Sequence, residues 1–589
     1  MKKMIFSVLF TLIFSVILSS ASPLLILTAC ASEKTPAPIR FAVMGDRTSG
    51  IVPGVYDTII EEVQILRPDF VITVGDMIDG YVDDTLVMNR KWEEFTGIVE
   101  PLSMPIYYTP GNNDIFSDLS EAWYPGHIGR RFYSFDYNGL HFIILDNSRV
   151  ETSTELPAGQ MAWLTKDLTD HQNAAYTFVF MHKPFWYLTT AENKPDTLHT
   201  LFVTYGVDAV FTGHYHDYFS GEYDGIKYTS MGSSGGGTRI SPTGLEYHFG
   251  WVTVDADGIH IGLIDKGSVR PREETTAADR KIYFPLRQAG LTMETPVEVA
   301  ANLTVTDAAG EIILHNSYSD QPLNDTLRWE VPDNWTVTPS VMPVSAAAGE
   351  DKSVAFNATC TGQLYPLPQA SVKFNYAEGK KVEAGSMLYL ARSAACRPVT
   401  GQITLDGNAN EPCWQNPETI FYNENDQAKI DATEFYFTHD RINLYIFARC
   451  FDAVMDSLKA VVTEQDGVVY TEDCIGFFIS PANSYDTVYQ IYFNPLGAVY
   501  DHKLFQTPDN EWDYVRGWNG RYEIGSSQDT GSWSLEIKIP ASQLGLDKIK
   551  DGEKWRVNFR RKQPRLKTAG DWQPPIGYPD YRSGYLIME

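Results

Sequence analysis

Phe70-Val71-Ile72-Thr73-Val74-Gly75-Asp76-Met77-Ile78-Asp79 runs five β-prone residues into a glycine and then sets two carboxylates three positions apart. Aromatic and β-branched side chains favour a pleated strand. With no polar alternation, such a run belongs to a strand covered on both faces. The same construction recurs on either side of it. Phe41-Ala42-Val43-Met44 ends in Gly45-Asp46-Arg47-Thr48, and Ile106-Tyr107-Tyr108-Thr109 in Pro110-Gly111-Asn112-Asn113-Asp114. Phe178-Val179-Phe180-Met181 leads into His182-Lys183-Pro184, and Ala209-Val210-Phe211 into Thr212-Gly213-His214-Tyr215-His216. Phe142-Ile143-Ile144-Leu145 is a further apolar run, and residues 55–67 and 86–99 carry apolar side chains at helical spacing. Strands alternating with helices predict an α/β domain over residues 39–270.

In such domains ligands bind beyond the carboxyl ends of the strands, where these polar residues fall. Each ending alone is weak: Gly-Asp after a strand is ordinary turn chemistry, and a lone histidine is more often a satisfied core residue than a ligand. His-x-His is stronger, because alternate residues of a kinked segment can reach one cation. Five such endings in one domain exceed what turns explain. Their order, Gly-Asp, Gly-Asp, Gly-Asn, His, Gly-His-x-His, resembles the calcineurin-like metallophosphoesterases over roughly residues 39–265.

The resemblance implies an αββα sandwich, paired sheets flanked by helices, with two divalent metals at the strand ends. Asp76 would bridge them, Asp46 and His216 would help bind the first, and Asn112, His182 and His214 the second. Asp46, Asp76, Asn112, Asn113 and Asp114 form the implied catalytic set. Two cations against two carboxylates leave net positive charge for a phosphate ester, even in an acidic protein. A hydroxide bridging the metals could then attack phosphorus in line. Histidine and carboxylate ligands suit manganese, iron or zinc.

Two positions depart from the family pattern. Thr48 stands where a histidine is usual, which removes a ligand from the first metal; Asp79 is a candidate substitute. Arg47 is a candidate phosphate-binding group, and a bacterial branch of the family resembles this chain in carrying Gly/Ser-Asp-Arg-Thr there. Asn113 stands where the family has a histidine near the leaving group. Asparagine donates a hydrogen bond but is no acid at neutral pH, and losing a general acid typically costs ~10²–10⁴-fold in rate.

The chain is too long for one core, since cores stop growing near ~250–300 residues. Its 589 residues carry 47 basic and 75 acidic side chains, a formal net charge of −28, which argues against a nucleic-acid polymer as partner. Lys2 and Lys3 precede a charge-free stretch over 4–32 that ends in Leu27-Thr28-Ala29-Cys30. That pattern resembles a bacterial lipoprotein signal (residues 1–30), with lipidated Cys30 as the membrane anchor and 31–38 as a tether. Residues 271–290 read as a linker. Short alternating strands over 291–393 predict an immunoglobulin-like sandwich.

Residues 397–589 are strand-rich and aromatic. Ile403-Thr404-Leu405-Asp406-Gly407, Glu411-Pro412-Cys413-Trp414, Glu472-Asp473-Cys474-Ile475-Gly476 and Tyr492-Phe493-Asn494-Pro495 resemble family 9 carbohydrate-binding modules. The resemblance implies a further β-sandwich and a polysaccharide partner. Acidic residues near Asp473 are a candidate structural calcium site. Trp512, Trp518 and Trp572 read either as sugar-stacking platforms or as core. Residues 556–565 read as a solvated strand edge. Cys360, Cys396, Cys413, Cys450 and Cys474 contain no C-x-x-C, and an odd number leaves at least one thiol free.

The sequence therefore predicts a cell-envelope, lipid-anchored, metal-dependent phosphoesterase with glycan-binding accessory domains. The alternative is a surface carbohydrate-binding lipoprotein on a metallophosphoesterase fold whose catalysis has weakened.

Overall fold

The computed structural model describes residues 38–80, 84–238, 241–300, 302–377, 379–422, 429–481, 486–506, 512–515, 518–566, 568–573 and 583–589. The expected signal peptide over 1–30, with Cys30, and all of the expected tether but Pro38 lie outside them. Contacts divide the chain into two compact units, one formed by the described residues up to Asp217 with Glu222–Thr238 and Tyr247–Arg272, the other chiefly by Glu273–Glu589.

In the first unit the apolar runs are strands. In chain order, β1 (Ile39–Met44), β2 (Phe70–Thr73), β3 (Ile106–Tyr107), β4 (Tyr133–Tyr137), β5 (Leu140–Ile144), β6 (Thr177–Phe180), β7 (Ala209–Thr212), β8 (Phe219–Tyr223), β9 (Ile226–Ser230), β10 (Phe249–Asp255), β11 (Gly258–Asp265) and β12 (Ser268–Pro271) build two sheets. One has the order β12-β11-β10-β1-β2-β3 and the other β4-β5-β6-β7-β9-β8. β1, β2 and β3 are mutually parallel, as are β5, β6 and β7. Their carboxyl ends therefore emerge on a common side of each sheet.

Period-two alternation sets the layers. Ala42 and Met44 of β1 pack with Tyr56, Ile60, Val63, Trp92 and Phe95 from the helices Val55–Leu66 and Thr85–Val99. Phe41, pointing the other way, meets Phe142, Phe178, Phe180 and Phe211 of the second sheet edge-on, at centroid distances of 5.4, 5.3, 6.4 and 6.5 Å. Helices Ala158–Asp170 and Thr197–Tyr205 attach to that sheet through Ser134–Asp167 and His199–Tyr228 hydrogen bonds, each 2.8 Å. The result is an αββα sandwich whose inner seam is aromatic.

The second unit is strand-rich. Val305–His315, Asp351–Cys360 and Trp335–Thr338 lie in one four-stranded sheet, and Leu323–Glu330, Val341–Ala346, Gln369–Ala377 and Lys380–Met387 form another. Their inward residues share one core. The stretch expected as a linker is instead mostly a helix, Ala277–Ala289. Thr276 and Asp279 cap it reciprocally, and Tyr283 and Leu286 are buried in that same core. Asp279 and Arg280 are themselves among its buried residues, and Pro285 lies inside it, so the buried face does not read as apolar in the sequence. Packing of two anchors decides the conformation here.

Beyond it, Cys474–Ser480, Thr487–Phe493, Val499–Gln506 and Lys554–Gln563 pair on one side. Lys429–His439, Asn443–Phe451 and Ser532–Pro540 pair on the other, and Ser393–Pro398 joins the two sets. Two expectations change in this region, and one open alternative is decided. Residues 556–565 are no solvated edge, because Lys554–Gln563 is paired on both sides, with Arg560 held by Asp571 and Arg561 fully buried against Trp533. The calcium site expected near Asp473 finds no support, since that carboxylate is taken by Arg565 Nε (2.8 Å) and the Lys459 N–H (2.8 Å). Among the described residues of this region no set of three His, Cys, Asp or Glu side chains converges. Trp572 is core, stacked on Phe559 with centroids 4.5 Å apart, whereas Trp518 is half-buried against Tyr489. The Trp512 side chain lies outside the described residues. Cys360, Cys396, Cys413, Cys450 and Cys474 are unpaired. No described helix is long and apolar enough to cross a membrane.

Candidate metal centre

The six expected ligands come together. Asp46 follows β1, Asp76 follows β2, Asn112 follows β3, His182 follows β6, and His214 and His216 follow β7. Asp76, His182 and His214 offer ligand atoms within 4.8 Å of one another, and so do Asp46, Asp76 and His216. Asp76 belongs to both groups. His182 Nε2 lies 2.9 Å from Asn112 Oδ1, 3.2 Å from His214 Nδ1 and 3.3 Å from Asp76 Oδ2. His216 Nε2 lies 3.3 Å from Asp46 Oδ2.

The outward nitrogen of each imidazole sets the tautomer. His182 Nδ1–H donates to Val74 O (2.8 Å), so Nε2 turns its lone pair toward three further electron-rich atoms. His216 Nδ1–H donates to Gly237 O, leaving Nε2 toward Asp46. With Nδ1 engaged by a carbonyl, Nε2 of His182 and of His216 is left as the ligand atom, and histidines anchored from behind in this way are what metal sites use. The residues present therefore fit two divalent metals. The electrostatics agree. Burial disfavours a charged His182, yet Asp76 and Asp46 draw it up to about 9. Burial likewise opposes ionised Asp76, and His182 outweighs it, to about 2. Burial and the neighbouring His182 push His214 down to about 3. Without metal the cluster takes a proton where it would otherwise take cations.

Close approach is built into the backbone. Gly75 has φ of 100°, and a side chain there would stand 2.7 Å from His182 Nδ1. A Cβ on Gly111 would come within 2.2 Å of Asp76 Oδ1. Gly111→Ala is therefore expected to weaken metal binding about 10–100-fold, the range for disturbed ligand supports. Metal titration checks this, and unchanged affinity would show that the approach is not needed. Asp76, His214 and His216 themselves adopt left-handed backbone, with φ of 62°, 77° and 53°. For residues other than glycine this is unfavourable and clusters at functional sites.

Other expected site residues fare differently. Asp114 is a positioning residue: it accepts from the N–H groups of Asp76 (2.8 Å), Met77 (2.9 Å), Ile78 (3.2 Å) and Gly111 (2.9 Å), tying two ligand loops together. Burial and Asp76 raise it to about 7 against those donors. Asn113 donates its backbone N–H to Asp76 Oδ1 (2.8 Å) and its side-chain amide to Asp76 Oδ2 (2.6 Å) and Ser49 Oγ (3.3 Å). Arg47 does not serve as a substrate ligand. It is buried over Phe95, donates to Met77 O (3.0 Å) and pairs with Glu94 (2.5 Å), because the helix Thr85–Val99 provides both an acceptor and an aromatic face. Asp79 is exposed beside Lys91 (3.6 Å), so it does not replace the missing histidine. Thr48 is buried, and its Oγ1 has no hydrogen-bond partner among the described residues.

Two supports were not anticipated. Asn147, after β5, accepts the N–H groups of His182 (3.0 Å) and Lys183 (3.1 Å) and donates to Lys183 O (2.9 Å). The loop after β9 folds over Asp46: Ser234 N–H and Ser233 Oγ–H donate to Asp46 O at 2.8 and 3.1 Å. Asp146-Asn147 and Gly232-Ser233-Ser234-Gly235-Gly236-Gly237 were visible as strand endings, but their residue types are not ligands.

Residues 39–218 match the calcineurin-like phosphoesterase family, and residues 427–575 match carbohydrate-binding family 9. Purple acid phosphatase 22 of Arabidopsis thaliana is 28% identical over 215 residues, covering 32% of this chain and 47% of that protein. Human tartrate-resistant acid phosphatase type 5 is 28% identical over 280 residues, 38% of this chain and 84% of its own length. Among solved structures, a family 9 carbohydrate-binding module from Caldicellulosiruptor kristjanssonii in complex with glucose aligns with a TM-score of 0.24 at 14% identity, covering 33% of this chain and 96% of its own. The chain spans about half the length of the plant purple acid phosphatases it matches. The segment within the first unit is thus a calcineurin-like phosphoesterase domain, and that within the second a family 9 carbohydrate-binding domain.

Proposed function

We propose that this chain, which carries a calcineurin-like phosphoesterase domain and a family 9 carbohydrate-binding domain, hydrolyses a phosphate monoester or diester at the cell envelope. The observation that carries the hydrolase reading is the Asp76 carboxylate shared by two convergent ligand groups. Asp46, Asp76 and His216 would hold one divalent cation, and Asp76, Asn112, His182 and His214 the other. When bound, the cations supply Lewis acidity toward a phosphoryl group and acidify water. Manganese, iron and zinc all suit these donors.

The chain's own groups set what can react. Asp114 and Asn147 hold the ligand loops, and Asn113 orients Asp76 through both its N–H groups. Neither Asn113 nor buried, paired Arg47 delivers a proton to a departing oxygen. The reading therefore favours esters whose leaving group departs unaided, aryl phosphate monoesters and aryl phosphodiesters foremost. Lys2, Lys3, the charge-free run and Leu27-Thr28-Ala29-Cys30 support export and lipid anchoring. The carbohydrate-binding domain supports placement on polysaccharide.

Metal analysis of protein purified without chelator tests the centre. Two equivalents per chain are expected at the Asp76 cluster, with His214→Ala losing at least one of them. A chain that takes up no divalent metal at these residues would sink the enzyme reading. A second reading, a glycan-binding surface protein with lapsed catalysis, is favoured by Asn113 and Thr48 at positions where the family carries histidine.

A further inference from the structure

We infer that Ser49 is a substrate-contacting residue of the Asp76 cluster, its hydroxyl meeting a non-bridging oxygen of the phosphoryl group. The inference rests on the phosphoesterase reading and narrows how that site holds its substrate. Ser49 lies three residues past Asp46, in the loop after β1, and is exposed, whereas Asp46, Arg47 and Thr48 before it are buried. Two bonds seat it at the rim of the centre, one leading to Asp76 and one to His216. Ser49 Oγ accepts from Asn113 Nδ2 (3.3 Å), which also donates to Asp76 Oδ2 (2.6 Å). Ser49 O accepts the Gly237 N–H (3.1 Å), and the carbonyl of that glycine accepts from His216 Nδ1–H. The exposed hydroxyl is therefore one amide group away from the carboxylate that both ligand groups share.

The polarity of these bonds leaves one donor over. An ionised carboxylate only accepts, so the Asn113 atom facing Asp76 Oδ2 is the amide NH2, and Ser49 Oγ accepts its other hydrogen. The hydroxyl hydrogen of Ser49 finds no acceptor among the described residues. A hydroxyl that accepts one bond is polarised toward donating another, and an anionic oxygen is the partner it suits. The backbone agrees. Ser49 has φ of 57°, a conformation unfavourable to residues other than glycine, and Gly50 follows with φ of 97°. Glycine would sit at position 49 without strain, so the serine side chain is held there at an energetic cost, as happens at functional sites. Charged side chains do not fill the role. Arg47 and Lys183, each next to a ligand in sequence, are buried and paired with Glu94 and Glu151. An oxygen of the phosphoryl group that the ligand cluster leaves over is then met by a neutral donor, which exposed Ser49 supplies.

Binding of inorganic phosphate tests this apart from turnover. Manganese-loaded full-length protein is titrated with phosphate by calorimetry, and bound metal is counted per chain. Ser49→Gly removes the hydroxyl and relaxes the backbone, so its fold and metal content are expected to match those of the unaltered chain. Its Kd for phosphate is expected to rise by about 10–100-fold, the scale of one hydrogen bond to a charged group. On a nitrophenyl phosphodiester its kcat/KM should fall by a similar factor. Ser49→Asn, which tolerates left-handed backbone and restores a donor, is expected to bind phosphate more tightly than Ser49→Gly. Weaker phosphate binding by Ser49→Gly in a protein that turns over no ester would uphold the inference while counting against the enzyme reading. Equal phosphate affinity in the unaltered chain and Ser49→Gly would overturn the inference and leave the enzyme reading standing. Loss of metal by Ser49→Gly would overturn it too, by making Ser49 a support of the ligand loops.

Discussion

His214→Ala is expected to abolish hydrolysis of a nitrophenyl phosphodiester by the manganese-loaded protein, with kcat/KM falling by at least about 10³-fold, the upper range for removing one preorganised charge-stabilising group. The argument is local. His214 Nδ1 is one of the atoms facing His182 Nε2, at 3.2 Å, so alanine deletes a donor from the cluster. The bond that anchors this loop to Asp46 comes from the His214 backbone N–H, at 3.0 Å, and survives the change. Loss of turnover would therefore report the missing ligand rather than a collapsed loop. Retention of more than about a tenth of the activity under saturating metal, a loss worth under ~1.4 kcal/mol, would remove His214 from the reacting assembly.

Asn113→His is expected to act in the opposite direction. On alkyl phosphate esters, whose leaving oxygen needs a proton, it raises kcat by about 10²-fold, within the range for a positioned general acid. On aryl esters the gain is small, because the phenolate leaves unaided. Asn113 already sits against Asp76 through its backbone N–H, a bond any residue there keeps. The contrast between leaving groups is the diagnostic, measured as a ratio of kcat values. A flat response on both classes, with metal still bound, would favour the glycan-binding reading over the enzyme.

The layout of the first unit was legible because its strands are continuous apolar runs and its polar residues begin where the runs stop. The ligands could be read for the same reason, each lying within a few residues past the end of a strand. Arg47 could not, because its direction is set by Phe95 and Glu94 on a helix distant in sequence. The helix Ala277–Ala289 escaped notice because its buried face mixes Asp279 and Arg280 with Ala277, Tyr283 and Leu286, and because Pro285 lies inside it. Arg561 misled in the same manner: a guanidinium over Trp533 in a sheet interior looks, in sequence, like solvent-facing charge. Asn147 and the serine–glycine loop act on backbone atoms of the ligand segments, a role that leaves no mark in the residue types of those segments.

The left-handed backbone at Asp76, His214 and His216 carries an evolutionary corollary. Each of these conformations holds the chain above its relaxed energy, by roughly 1–3 kcal/mol, and nothing but the occupied centre makes that worthwhile. Selection for heat tolerance alone would drift toward residues that relax these turns and would dismantle the centre as it did so, the trade-off between robustness and activity. Relatives that keep these turns would then be the ones in which something still needs what they hold in place.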